Sequence, residues 1–213
     1  TKPNGEFGLQ GELVFTAPRK STFGGKYGTS VTINYSLANG IDKQPISPEI
    51  PVDSTGTDGY ESSLFSWGDI PYYRDLNFLF EKKVSTKVKW KAAYYYQTYN
   101  LHVLEDDLFD KENIVYAHIG VIDFTYKFDR RNSLRTEIQG LWTQQDEGDW
   151  AALMFEYNIS PTWFFSVADE YNYGPPEGME KVHYYNLSFG YTDKSNRLSL
   201  RYGRQREGLL CVG

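Results

Sequence analysis

The sequence predicts an all-β chain, an antiparallel up-and-down transmembrane β-barrel, on three observations. Ten segments of about nine to fifteen residues alternate with a period of two. Successive strand side chains point to opposite faces, so this period marks a strand. The large apolar residues fall on one face, and small, polar or charged residues on the other. In "YGTSVTINYSLANG" (27–40), Tyr27, Thr29, Val31, Ile33, Tyr35 and Leu37 face away from Gly28, Ser30, Thr32, Asn34, Ser36 and Ala38. The connections also alternate between short and long. A membrane barrel puts its apolar face in lipid and its polar face in a lumen, with short turns at one end and longer loops at the other.

Each strand follows from its own pattern. The first, 6–16, has Phe7, Leu9, Leu13 and Phe15 together, and the second is 27–39. The third, 72–82, groups Leu76, Phe78 and Phe80. The fourth, 87–99, sets Val88, Trp90, Ala92, Tyr94 and Tyr96 against Lys87, Lys89, Lys91 and Gln97. The fifth, 114–128, sets Ile122, Phe124, Tyr126 and Phe128 against Asp123, Thr125 and Lys127. The sixth, 134–144, sets Leu134, Ile138 and Trp142 against Arg135, Glu137 and Gln139. The seventh, 150–159, sets Leu153, Phe155, Tyr157 and Ile159 against Glu156 and Asn158. The eighth, 163–173, sets Trp163, Phe165, Val167 and Tyr171 against Ser166, Glu170 and Asn172. The ninth, 182–192, sets Tyr185, Leu187, Phe189 and Tyr191 against Asn186 and Ser188. The tenth, 197–205, sets Leu198, Leu200 and Tyr202 against Arg197, Ser199 and Arg201. No segment carries a credible helical stripe.

Short connections follow the third, fifth, seventh and ninth strands, and long outer loops are expected near 40–71, 100–113 and 174–181. The 145–149 loop is short for this scheme. Aromatics gather near strand ends (Tyr126, Phe128, Trp142, Trp163, Tyr171, Tyr173, Tyr191), as in the two interfacial girdles of a barrel. The lipid-facing set is then Val31, Ile33, Trp90, Phe124, Phe155, Phe165, Leu187 and Phe189. The lumen-lining candidates are Lys87, Lys89, Lys91, Asp123, Lys127, Arg135, Glu137, Glu156, Arg197 and Arg201, with Glu81 and Glu170 also inward. Such charges either set the selectivity of a pore or fill the interior with ion pairs.

The whole chain, 1–213, reads as a single barrel segment. The first strand leads into a turn and the last leaves one, so an even-stranded barrel with both termini on the turn side needs further strands. The expectation is an internal portion of a barrel of twelve or more, since an open sheet edge is not tolerated in lipid. The start, Thr1-Lys2-Pro3-Asn4, suggests processing or truncation.

Composition excludes other classes. No run of 18 apolar residues exists, so no transmembrane helix is expected. A net charge of -6 argues against nucleic acid as the main partner; the expected partners are a lipid bilayer and a small solute. The long loops are acidic, with Asp42, Glu49, Asp53, Asp58, Glu61 and Asp69 in 40–71, "EDDLFDKE" at 105–112, and Asp146, Glu147 and Asp149. The turn side is basic: Arg19, Lys20, Lys26, Lys82, Lys83, Arg130 and Arg131. The acidic loops lack calcium-loop spacing. His102, His118 and His183 lack metal-ligand spacing, so no metal or other cofactor is expected. His118 and His183 fall on the apolar face, near its loop end. Neither a nucleophile elbow nor a phosphate loop occurs. Pairs such as Asp106/Asp107 and Asp169/Glu170 carry little meaning, and no catalytic residue is assigned.

The tail "RYGRQREGLLCVG" (201–213), after the tyrosine-rich strands, resembles the C-terminal region of an uncharacterised family of outer-membrane barrels from Bacteroidota. The likeness is strongest over the last third. It implies a location in the bacterial outer membrane, an outer loop at Arg-Glu-Gly-Leu-x-Cys before a final strand, and a loop disulfide for Cys211. It assigns no activity. Three functions stay open: porin-like passage or binding of a small solute without chemistry; a structural or interaction barrel with a filled lumen and working acidic loops; and a soluble β-sheet domain binding carbohydrate through Trp and Tyr.

Overall fold

A computed structural model describes residues 5–50, 52, 59–104 and 114–204. Cys211, the acidic stretch 105–112, and Asp53 and Asp58 lie outside the described residues. The protein is all-β. The elements are β1 (Glu6–Ala17), β2 (Thr29–Gly40), β3 (Gln44–Pro45), β4 (Tyr60–Glu61), β5 (Pro71–Lys83), β6 (Val88–Asn100), the single helical turn α1 (Leu101–Leu104), β7 (Ile114–Lys127), β8 (Asn132–Trp142), β9 (Asp149–Ile159), β10 (Trp163–Gly174), β11 (Val182–Asp193) and β12 (Asn196–Gly203). The ten long strands make one sheet in the order β1-β2-β5-β6-β7-β8-β9-β10-β11-β12, and β3 pairs with β4 apart from it.

All ten predicted strands are present, because the period-two pattern is strong in each. Two elements were not anticipated. The hairpin β3–β4 pairs Gln44 with Glu61 and Pro45 with Tyr60 inside the loop expected at 40–71. Two residues per strand, one of them proline, are too few to carry an alternation. The turn α1 is likewise too short for an apolar stripe.

The chain divides into two compact units. The first contains described residues of 1–13, 33–77 and 95–117. It buries Leu37, Tyr72, Val103, Val115 and Ala117, together with the polar Asn39, Ser66, Asp75, Thr98 and Asn100. Asn39 Nδ2 donates to the Gly68 carbonyl at 3.3 Å, and the Ser66 hydroxyl accepts from the Asp42 amide at 2.9 Å. Phe7 packs against Trp67, with ring centroids 5.4 Å apart. Leu37, assigned by alternation to the open apolar face, is buried instead.

The second unit contains 14–32, 78–94 and 118–213, as far as described. From β7 to β12 its strands pair antiparallel. Phe155 lies opposite Thr136 and Val167, Val167 opposite Leu187, and Leu187 opposite Tyr202. A register shift lies between Asn172 and Gly174 at the loop end of β10. Such a bulge locally ends regular pairing.

The short turns belong to this unit. Asp129 closes the β7–β8 turn: its Oδ1 accepts the amides of Arg131 (2.7 Å) and Asn132 (2.8 Å), and its Oδ2 accepts from Asn132 Nδ2 (2.7 Å). These bonds, the Asn132 side chain first, hold the Asp129 carboxyl below its ordinary pKa. The folded state therefore favours the charged form. The resulting stability is present above the unfolded pKa, near pH 4, and is lost as pH falls through the depressed folded value. Asp129→Ala is expected to lower the denaturation midpoint at pH 7 and to match the parent protein at low pH. Midpoints measured across the acid range check this; a difference that persists in acid would assign Asp129 another role.

Candidate charged face and apolar face

Exposure separates the two faces of the second unit in an unusual sense. On β7 and β8 the side chains of Asp123 and Glu137 are 13% and 17% exposed. Their apolar neighbours Ile122 and Ile138, on the other face, are 54% and 53% exposed. Water normally draws charges outward and drives apolar groups inward. Here the charged groups at the middle of β7 to β9 are the more covered ones, whereas Lys87, Lys89, Lys127, Arg197 and Arg201 of the same face are exposed.

The apolar face is built by register. Tyr126, Leu134, Tyr157, Phe165, Phe189 and Leu200 form one row across six strands. Phe124, Thr136, Phe155, Val167, Leu187 and Tyr202 form the next. Phe124, Phe155, Phe165 and Leu187, assigned outward from alternation, are exposed, as is Ile33 in the first unit; Val31, Trp90 and Phe189 are half-buried. Trp90 packs on Phe80 (4.9 Å between centroids), and Phe189 on Trp163 (5.3 Å) and Phe165 (5.4 Å). Aromatics bound the face at both ends. Trp163 meets Tyr191 at 4.4 Å and Phe128 meets Tyr126 at 5.0 Å toward the turns. Toward the loops, the Trp142 indole lies back over Gly140, where a Cβ would overlap the ring.

A carboxylate interrupts this face: Asp169, which the sequence reading named only within the pair Asp169/Glu170 and gave little meaning. Asp169 lies opposite Tyr185 and Leu153, so it is on the apolar side while Glu170 is on the other. The two carboxylates form no pair. Asp169 Oδ2 is 2.7 Å from His183 Nδ1, and the His183 ring stacks on Tyr171 at 4.0 Å. On the same face His118 Nδ1 is 2.6 Å from the Tyr94 hydroxyl. Both histidines lie toward the loop end, as alternation implies.

The charged face carries the inward candidates. Arg135 contacts Asp123 through Nε and Glu137 through Nη2. Gln139 Nε2 donates to Glu137 at 2.6 Å. Glu156 lies opposite Arg135 in register and accepts from Asn158 Nδ2 at 2.8 Å. Glu81 pairs with Lys91 at 2.5 Å and Lys89 at 3.8 Å. Arg201 Nε donates to Asn186 Oδ1 at 2.9 Å. Lys87 accepts through its carbonyl from the Lys127 amide at 2.8 Å. Lys127 and Arg197 come together at the turn end, where they line one cavity. Sequence reasoning missed Phe164, which shares this face: its ring lies over Gly190, directly opposite it, and carries the Arg197 guanidinium 5.5 Å from its centroid.

Among the described residues no three His, Cys, Asp or Glu side chains gather as metal ligands. No helix there is long and apolar enough to cross a membrane, which leaves strands unaddressed.

The geometry defines a class: an antiparallel β-sheet protein with an open apolar face and a charged face whose acidic middle is the more covered part. The chain belongs to the family of unknown function DUF6029, whose model matches residues 1–213. No curated protein and no solved structure matches it.

Proposed function

We propose that the chain forms part of a transmembrane β-barrel in a bacterial outer membrane, with the apolar face in lipid and the charged face lining a polar lumen that passes or binds a small solute without chemistry. The inverted exposure of the two faces carries this reading. An apolar face bounded by aromatics suits a bilayer, whose hydrocarbon replaces a protein core as the partner of Phe and Leu. From Trp163 to Tyr171 the strand covers about 26 Å, or about 20 Å of height at a tilt near 40°, comparable with the roughly 25 Å apolar band of such barrels.

A second reading is a barrel with a filled lumen that works through its acidic loops. The Arg135–Asp123–Glu137 cluster favours it, since ion pairs can occupy an interior as well as line one.

Planar-bilayer conductance of the protein purified from outer membranes separates the two. Discrete, stable current steps are expected. A folded, inserted but silent protein would overturn passage and leave the filled barrel. A monomer that stays in water without detergent would overturn both and favour the soluble carbohydrate-binding domain.

A further inference from the structure

The turn end of the second unit holds a cavity of about 460 Å³. Four cationic side chains line it: Lys127, Arg130, Arg131 and Arg197. The lining includes one carboxylate, Asp129, and both its oxygens are already engaged by the donors of its own turn. None of the four cations makes an ion pair with a carboxylate among the described residues. Elsewhere on the same face Lys91, Lys89 and Arg135 each have acidic partners, while Arg201 bonds the neutral Asn186. The cavity lining thus carries four cations against the single carboxylate of Asp129, which acts electrostatically with Arg131.

The cavity is also partly preorganised. Gly190 leaves room for the Phe164 ring, and that ring supports the Arg197 guanidinium. A guanidinium held on an aromatic face keeps its edge free for donation. Arg131 sits in a turn whose backbone is pinned by Asp129. Asn158, Ser133 and Thr162 add neutral hydrogen-bonding groups to the wall. Two guanidinium forks and a lysine point charge match the oxygens of a phosphoryl group, which guanidinium binds in bidentate fashion.

We propose that this cavity binds a small phosphate-bearing polyanion, held chiefly by Arg131, Arg197 and Lys127. The proposal deepens the solute reading above: it rests on the barrel for the route to the cavity, though not for binding itself. The phosphate could belong to a soluble molecule or to a lipid headgroup, and the test distinguishes these sources.

The test uses the whole protein in non-ionic detergent at 150 mM salt, where diffuse surface attraction is largely screened beyond about 8 Å. Inorganic pyrophosphate is titrated by calorimetry. Saturable binding is expected, weakened about tenfold or more by Arg131→Gln and by Arg197→Gln, with Lys127→Gln as an independent third variant. Lys26→Gln, a basic residue outside the cavity lining, is expected to leave it unchanged. Absence of binding, or equal weakening by Lys26→Gln, overturns the proposal. Repeating the titration in phosphatidylcholine vesicles with and without phosphatidic acid identifies the source: competition by phosphatidic acid indicates a headgroup, and its absence a soluble ligand, both upholding the site. A silent protein that binds pyrophosphate keeps the site and loses passage; a conducting protein that does not bind it does the reverse.

Discussion

Leu187→Arg is expected to destabilise the membrane-inserted protein by about 2–4 kcal/mol, the range for an arginine on the lipid face at the bilayer midplane. Leu187 is 50% exposed and sits in the middle of an apolar row, between Val167 and Tyr202. Its neighbour Ser188 points the other way, between Ser166 and Arg201. Ser188→Arg would place two like charges across a strand pair, an effect of about 0.2–1 kcal/mol. The order of the two substitutions is the informative quantity. In a soluble sheet domain Leu187 would be a half-exposed surface residue, where a change to Arg falls within about 0.5 kcal/mol. Urea-dependent folding into neutral-lipid vesicles measures both variants. Equal losses would refute the alternation of faces, and two negligible losses would refute insertion.

Arg135→Leu is expected to remove about 1–2 kcal/mol and to shift any conductance toward cations. The register explains why. Asp123 and Glu137 lie directly opposite each other on β7 and β8, an arrangement that is unfavourable for two carboxylates. Arg135 bridges them, with Glu156 across on β9. Without the guanidinium, three carboxylates share one patch. Fully buried charges left unpaired lose about 3–5 kcal/mol. The smaller figure reflects the 37% exposure of the Arg135 side chain, which lets solvent screen the cluster. Adding Asp123→Asn to Arg135→Leu is expected to recover most of the loss. A double-mutant cycle with no coupling between the two positions would show that the bridge contributes nothing.

The strands were legible because alternation is a local property. The run Leu153, Phe155, Tyr157 against Glu156 and Asn158 needs no partner to declare itself. The predicted segment 150–159 therefore lies within one residue of β9 (Asp149–Ile159). Segments at 134–144 and 197–205 drifted by one or two residues from β8 (Asn132–Trp142) and β12 (Asn196–Gly203), because turn residues can continue an alternation by chance. The hairpin β3–β4 was invisible for the reverse reason: two residues cannot show a period.

Partnerships were not legible. Nothing in the sequence shows that Asp169 meets His183 across a diagonal, or that Phe164 lies over Gly190 to carry Arg197. Arg130 and Arg131 were readable as turn residues, and Lys127 and Arg197 as inward charges near the turn end, but Arg197 is 66 positions beyond Arg131 in the chain, and only pairing across β8 to β12 brings it to the same cavity. By itself the sequence determined an all-β protein with ten long strands, one apolar and one polar face, and basic turns opposite acidic loops. Those are properties of residue type and spacing along one strand. The tertiary structure decided which charges are covered, which carboxylates share Arg135 and which cations gather at one cavity. These depend on the register between strands, where a shift of one residue would turn every side chain to the opposite face.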